Sequence, residues 1–534
     1  MRRFSILLLF LCFSFGIDAQ APPETFSNPV IPGFHPDPSI CRVGEDYYLV
    51  NSSFEWFPGL PVYHSRDLIN WKLIGYGITR PDQVELPSGL GDSRGLYAPA
   101  IRYHDGLFYI INTCVNCNGN FYITARDPAG PWSDPVWLNT PGIDPSLFWD
   151  DDGRCYYTGH ANISGPPQWP DQNGVWMQEL DLNEGRMTGK RVQLTFGHAS
   201  NARWTEGPHL YKINGKYLLL VAEGGTGFHH AVTIFHSDSI WGPYIPDHSN
   251  PVLTHRHLGN DYPIHSVGHA DIVQTQNGEW WAVMLAKRKI DSLTYLGRET
   301  FLTPLEFQGN TPVFNPGTGK VLAVDQRPDL PWTPFPPGET RDDFNADHLS
   351  LEWNFLRSPK TKWHTVENGE LVLNLRPEVL DSLVNPSFVA RRIEHHRFIA
   401  GTSLKFTPKS GNEKAGLALY RAGGYHYQLL KEDNYIVLYK TFRGVCIVID
   451  RIPYQNPEVV FRAESEGHFL KFWYGKTGED LERIGSEQPF SVLADEYTGG
   501  FTGPFVGMYA TSSAKNSSSK AFFDWFDYSE NTNK

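Results

Sequence analysis

The sequence predicts an all-β chain in two parts, a five-bladed β-propeller followed by an antiparallel β-sandwich. Three observations predict it. A strand–turn–strand pattern recurs five times over the first two thirds of the chain. The turns joining its halves include Asp-Gly and Asn-Gly pairs. Beyond a proline-rich stretch the repeat stops, while short alternating strands continue. No stretch has the spacing of a long amphipathic helix.

Residues 1–19 read as an export signal, with a basic Arg2-Arg3 start, an apolar run from Phe4 to Phe15, and small-residue cleavage chemistry at Ile17-Asp18-Ala19. The run is shorter than the about 20 residues a membrane anchor takes, and no later stretch is built to span a bilayer. Cys12 follows the bulky Leu11, which argues against a lipid-attachment signal. The expectation is a soluble chain, secreted or periplasmic.

Residues 20–326 carry the repeat. Its copies start at Asp37-Pro38-Ser39-Ile40, Ala98-Pro99-Ala100-Ile101, Asp144-Pro145-Ser146-Leu147, Glu206-Gly207-Pro208-His209-Leu210 and His269-Ala270-Asp271-Ile272, and each runs on to a pair or single of Tyr, Phe or Trp. Turns at Asp105-Gly106, Asp152-Gly153, Asn214-Gly215 and Asn277-Gly278 tolerate the positive φ that tight hairpins demand. Units of roughly 45–60 residues made of strand and turn match propeller blades. Equivalent starts of innermost strands converge on a propeller's axis, so Asp37, Asp144, Glu206 and His269 are expected to meet in one funnel.

Residues 327–340, from Arg327-Pro328 to Pro336-Pro337-Gly338 and beyond, read as a stiff, extended linker. From 341 to 534 short strands recur at Leu371–Leu375, Gly416–Tyr420, Ile436–Tyr439, His468–Tyr474 and Lys520–Tyr528. They carry few clustered exposed aromatics of the kind a separate sugar-binding module displays. The sandwich is therefore expected to dock on the propeller as an accessory domain.

A formal net charge of −13, one unit more negative once Arg2, Arg3 and Asp18 are removed, disfavours nucleic acid and anionic membrane as partners; a neutral substrate fits. The aromatic share of 14% supplies core and, where exposed, flat apolar platforms for sugar faces. Beyond the signal, Cys41, Cys114, Cys117, Cys155 and Cys446 are too few and odd in number for a disulfide framework. Cys114 and Cys117 have redox-motif spacing but strand-like flanks without a βαβ context, which leaves a local disulfide or free thiols.

Three carboxylates beside Pro or Gly, within otherwise apolar strand starts, are costly unless they are partnered or used. Cleaving a glycosidic bond uses such a set, one acid to protonate the leaving oxygen and one carboxylate to activate water or attack carbon. The alternative is a buried polar network that closes the propeller axis.

The stretch Asn28-Pro29-Val30-Ile31-Pro32-Gly33-Phe34-His35-Pro36-Asp37-Pro38-Ser39-Ile40 closely resembles the opening motif of glycoside hydrolase family 43. Further matches are Tyr97-Ala98-Pro99-Ala100-Ile101-Arg102, Gly142-Ile143-Asp144-Pro145-Ser146-Leu147, Thr205-Glu206-Gly207-Pro208, Gly268-His269-Ala270-Asp271 and Leu296-Gly297-Arg298-Glu299-Thr300. From Asp342-Asp343-Phe344 onward the chain resembles the family's concanavalin-like, jelly-roll sandwich. The resemblance implies a five-bladed propeller with Asp37 as general base, Glu206 as general acid and Asp144 as the carboxylate that orients the acid and tunes its pKa. It also implies a substrate pocket with Phe54 as floor, Tyr97 where the family often has Trp, Arg298 binding sugar hydroxyls, and His269 beside a central water or Ca²⁺. No cofactor is required on this reading, and one structural Ca²⁺ is left open.

The expected activity is exo-acting, inverting release of terminal α-L-arabinofuranose and/or β-D-xylose from plant hemicellulose or pectin side chains. A β-xylosidase acting on xylooligosaccharides is the alternative, and a non-catalytic carbohydrate-binding propeller the remote one. The preference for arabinose rests on the likeness of Ser53-Phe54-Glu55-Trp56-Phe57-Pro58-Gly59-Leu60-Pro61 to arabinose-removing members, and on Tyr97. A retaining propeller fructosidase would carry an Asn-Asp-Pro-Asn-like opening in place of His35-Pro36-Asp37-Pro38. The Gly-rich run Glu223–His230 offers sugar-compatible donors, and neither His229 nor His230 has partners at zinc spacing.

Overall fold

The computed structural model describes residues 22–532; the export signal read at residues 1–19 lies outside the described residues. Five antiparallel sheets follow one another as blades. Blade I holds Ser39–Val43, Asp46–Val50, Gly59–Ser65 and Lys72–Ile78, and blade II Ala100–His104, Leu107–Val115, Gly119–Ala125 and Val136–Leu138. Blade III holds Ile143–Trp149, Cys155–His160, Val175–Asp181 and Arg186–Thr195, and blade IV Glu206–Ile213, Lys216–Glu223, Ala231–Ser237 and Ile245–Pro246. Blade V holds Ile264–Gln274, Trp280–Ile290, Glu299–Gln308 and Thr311–Phe314. Thr25–Ser27 pairs with Val324–Gln326, so the two ends of the propeller segment are hydrogen-bonded to each other.

The turn chemistry has the expected physical basis. Asp105-Gly106 and Asn214-Gly215 take positive φ at both residues, as a two-residue hairpin of matching twist requires. Cys114 and Cys117 are joined at the end of one hairpin, Cys41 and Cys155 are buried thiols, and Cys446 is an exposed one.

The stretch from 327 to 340 lies against the propeller, with Arg327 N donating to Glu24 O and Thr333 N to Asp67 Oδ2. The sandwich beyond it stacks two sheets. One is ordered His364–Glu367, Glu370–Asn374, Lys520–Glu530, Phe398–Lys405, Glu458–Ser465, Phe469–Gly475 and Glu482–Pro489. The other is ordered Ser387–Arg392, Phe505–Thr511, Lys414–Ala422, Tyr425–Glu432, Tyr435–Phe442 and Val445–Pro453. Leu417, Leu429 and Leu438 of the second share a core with Phe461, Phe472 and Phe523 of the first.

The two parts share apolar surface as well as chain. Phe355–Leu356 pairs as a strand with Trp56–Phe57, and the buried Trp56 ring stacks on Phe505 with centroids 3.5 Å apart. Arg392 Nε donates to Phe34 O at 2.9 Å and Arg357 Nε to Leu90 O at 2.8 Å. The core cluster that fills the sandwich runs on into Leu60, Leu86 and Leu96 of the propeller.

Candidate active site

Each innermost strand starts at the same end of the axis, and chain direction then sorts the loops. Connections after second strands, such as 51–58, 161–174, 224–230 and 291–298, return to that end, as do connections into the next blade, such as 196–205. Asp37, Phe54, Tyr97, Asp144, Glu206, His269 and Arg298 line one cavity there, joined by Ala98, Ile143, Thr226, His230, Leu285 and Phe501. Counted out to its mouth, the cavity holds about 430 Å³. All seven residues read from the sequence as site residues are thus brought together.

Their placement follows from a bulge in the innermost strands. Ile143, Glu206 and Gly268 pair with His160, Ala222 and Leu285, and pairing resumes only at Ser146, His209 and Asp271. The residue after each paired position is left-handed: Asp144 φ 52°, Gly207 φ 56°, His269 φ 51°; Asp37 in blade I matches at φ 52°. Glu206 is therefore one residue ahead of the position that Asp37 and Asp144 occupy, and is not their repeat equivalent as the sequence pattern suggested. Gly207 fills the left-handed slot. A Cβ there would lie 2.9 Å from the His269 ring, so the glycine lets that ring approach the axis.

Asp37 is the most tightly held carboxylate. Arg298 Nη1 donates to its Oδ1 at 2.6 Å, Ser52 Oγ donates to its Oδ2 at 2.5 Å, and His269 Nδ1 stands 4.0 Å from Oδ1. Arg298 also donates to the backbone oxygen of Phe501, through Nη2 at 3.2 Å and Nε at 3.4 Å. Its guanidinium carbon lies 5.4 Å from the ring centres of both Phe54 and Phe501. Phe54, Tyr97 and Phe501 form an aromatic wall, with centroids 4.9 Å apart for Phe54–Tyr97, 5.9 Å for Phe54–Phe501 and 6.0 Å for Tyr97–Phe501. The Tyr97 hydroxyl is engaged outside the cavity, donating to Ser93 O and accepting from Arg94 Nη1.

The other two carboxyls are set differently. Burial, reinforced by the Asp144 and Asp37 charges, raises Glu206 well above the usual carboxyl range despite Arg298. Asp144 is raised to about 6, mainly by burial and also by Asp37; His269, the N–H of Gly207 donating at 3.3 Å, and Arg298 oppose the rise. The Asp144 charge thus helps keep the proton on Glu206. Burial lowers His230 to about 3, so its ring is neutral, with Nδ1 against Ser266 O at 2.8 Å.

One layer below, a separate polar network closes the axis. Buried Asp271 accepts from Ser39 Oγ at 2.6 Å, from Arg102 Nη1 at 2.8 Å, and from the Tyr211 hydroxyl. Arg102 Nη2 meets His209 Nδ1 at 2.7 Å. The buried network that closes the axis is thus built from residues other than the three cavity carboxylates, for which that role was the alternative. Among the described residues no three His, Cys, Asp or Glu side chains gather as an ion cradle.

Phe501 was not read as a site residue, and His230 was read only as the end of the Gly-rich run Glu223–His230. Phe501 lies in Gly499-Gly500-Phe501-Thr502-Gly503-Pro504, a sandwich segment with no counterpart in the blade repeat. Its signal was a run of glycines around one aromatic: a Cβ on Gly503 would sit 2.6 Å from Phe34 and 2.7 Å from Leu296 O, so the segment presses on the propeller. In the Gly-rich run, Thr226 and His230 reach the cavity. Glu223 does not, being occupied by His198 N at 2.9 Å, His198 Nδ1 at 2.5 Å and Thr233 Oγ1 at 2.8 Å.

The profile of glycosyl hydrolases family 43 matches residues 26–312, and that of the beta xylosidase C-terminal concanavalin A-like domain matches residues 341–529. A xylosidase/arabinosidase of Butyrivibrio fibrisolvens is 38% identical over 94% of this chain and 99% of its own. A non-reducing end alpha-L-arabinofuranosidase of Bacteroides ovatus, BoGH43B, is 37% identical over 99% of both chains. The crystal structure of a xylan beta-1,4-xylosidase from Bacillus halodurans superposes with a TM-score of 0.89 at 35% identity, covering 95% of this chain and all of the other.

Proposed function

The chain belongs to family 43 of the glycosyl hydrolases, and from that premise we propose that it releases single terminal pentoses with inversion, α-L-arabinofuranose first and β-D-xylose second. The observation that carries the reading is the pairing in one cavity of an Arg298-bound carboxylate, Asp37, with a carboxyl whose pKa burial and the neighbouring charges raise, Glu206. Asp37 takes a proton from a water whose oxygen attacks the anomeric carbon. The bond to the leaving oxygen breaks, and Glu206 delivers its proton to that oxygen. Asp144 holds the proton on Glu206 until transfer. Arg298, fixed by Asp37 and by Phe501 O, offers hydroxyl-binding N–H groups beside the Phe54–Tyr97–Phe501 wall.

Exo action follows from the walls. Phe501 from the sandwich, Arg298, Thr226 and His230 stand around the cavity that holds the carboxylates, whereas an endo-enzyme needs a through-cleft. Arabinose is favoured by full-length similarity to an arabinofuranosidase and by Tyr97 in the wall. Xylose is favoured by the superposing xylosidase. Two such similar sugars differ by a contact or two, on the order of 1–3 kcal/mol. The export signal read at residues 1–19 would place the enzyme where hemicellulose fragments are met.

Glu206→Gln tests the assignment. Turnover of an arabinosylated or xylosyl oligosaccharide should fall roughly 10²–10⁴-fold, while an activated aryl glycoside, whose leaving group needs no proton, loses far less. Equal losses on both substrates would remove Glu206 from the role of acid.

A further inference from the structure

The sandwich covers only part of the catalytic face. The hydrogen bonds and ion pairs that tie it to the propeller reach residues from Phe34 to Ser93 and from Lys287 to Arg298, in and beside blades I and V. The loops 161–174 of blade III, 196–205 between blades III and IV, and 224–230 of blade IV project on the same face. The propeller's exposed Trp, Tyr and Phe side chains among the described residues are Tyr103, Trp204 and Phe228. Tyr103 sits at the far end of an innermost strand, so the exposed aromatics of the catalytic face are Trp204 and Phe228.

Trp204 is the one that is built in. It precedes Glu206 by two residues, and it stays 38% exposed although Thr205 beside it is fully buried. Its backbone is left-handed at φ 47°, an uncommon state for a bulky residue that costs on the order of 1–3 kcal/mol. That state is held by its N–H donating to Asp171 O at 3.2 Å, and by Gly224 N donating to Arg203 O at 2.9 Å. The indole lies over Gly225, where a Cβ would come within 2.8 Å of the ring, and the next residue, Thr226, lines the cavity. A strained backbone and an underlying glycine thus fix a flat, wet aromatic face beside the cavity on the side of Glu206. An aromatic face serves a flat ring whose faces present axial C–H bonds with the hydroxyls at the rim, as in an equatorially substituted pyranose. A small puckered furanose offers less.

We propose that Trp204 is the leaving-group platform: it stacks on the pyranose ring to which the terminal pentose is attached, so the enzyme prefers pentoses borne on pyranosyl chains to those borne on furanosyl chains. The proposal rests on Glu206 as acid, because the acid fixes the side on which the leaving oxygen lies.

The test compares the native protein, Trp204→Ala and Trp204→Phe on three substrates. Mono-arabinosylated xylotriose has a pyranosyl leaving group, 1,5-linked arabinobiose a furanosyl one, and α-L-arabinofuranosyl fluoride none. Xylobiose and β-D-xylosyl fluoride give the matching comparison for xylose. Trp204→Ala should lower kcat/KM on the pyranosyl-linked substrates about tenfold, on arabinobiose by less than about threefold and on the fluorides by less than about twofold, and Phe should restore most of the loss. An equal loss on all substrates would mean that the ring only props the Glu206 strand. No loss on the pyranosyl-linked substrates would put the leaving sugar elsewhere. Either result overturns the proposal. Glu206→Gln run alongside keeps the two readings apart: fluoride turnover retained with oligosaccharide turnover lost supports the acid whatever Trp204 does.

Discussion

Replacing Phe501 by Ala asks whether the sandwich is part of the catalytic site. The substitution deletes the ring and spares the backbone anchors, Phe501 N donating to Ser93 Oγ at 2.8 Å and Phe501 O accepting from Arg298. Inside the protein the ring gives up its contacts with Phe54 and Tyr97 and the guanidinium above it, together about 2 kcal/mol of local stability. Towards the substrate it gives up one apolar wall. If a pentose covers roughly 50 Å² of that face, at about 25 cal/mol per Å² the loss is about 1.3 kcal/mol, or close to tenfold in binding. The expected result is KM up about tenfold and kcat changed less, with a native circular dichroism spectrum and Phe501→Leu recovering much of the loss. Steady-state kinetics on an oligosaccharide and on a pentosyl fluoride read this directly, and both substrates should show it because the wall serves the terminal sugar. A KM within about twofold of native would refute the reasoning: the ring would then be a docking contact that happens to face the cavity.

Two further outcomes follow from the same geometry. Glu206 is raised in part by the Asp144 anion, so Asp144→Asn should lower the pKa of the acid and move the alkaline limb of the kcat/KM profile to lower pH. A limb that stays put or moves up would show that Asp144 does not hold the proton on Glu206. A chain truncated after Gln326 would expose Trp56, Phe57 and Leu86 and lose Phe501, so it should be poorly soluble and inactive; soluble protein with native turnover would make the sandwich an independent appendage.

The blades were legible because each copy begins with Pro or a small residue, in four of the five after a functional side chain, and because the turns use residues that accept positive φ, as Asp105-Gly106 and Asn214-Gly215 do. The convergence of Asp37, Asp144, Glu206, His269 and Arg298 followed from that repeat and from the family motifs. What the pattern could not carry was the bulge. Aligning Glu206-Gly207-Pro208 with Asp144-Pro145 by eye equates the carboxylates, while the pairing register equates Asp144 with Gly207. The sandwich strands Lys414–Ala422 and Lys520–Glu530 were visible, as short alternating segments at Gly416–Tyr420 and Lys520–Tyr528. Val445–Pro453 was not, because as an edge strand it exposes Val445, Ile447 and Val448 and lacks a buried face to set its period. Phe501 and Trp204 escaped for a related reason: both lie in irregular loops, where position depends on contacts distant in sequence, Ser93 and Arg298 for one and Asp171 and Gly225 for the other.

The central claim is a single displacement by a water that Asp37 activates, with Glu206 as acid. The direct measurement is proton NMR of the sugar first released from an oligosaccharide, recorded before mutarotation. Inversion requires the β-anomer first from an α-L-arabinofuranosyl substrate, or the α-anomer first from a β-D-xylosyl one. Release of the substrate's own anomer would contradict the account, because it would demand a covalent intermediate and make Asp37 a nucleophile rather than a base.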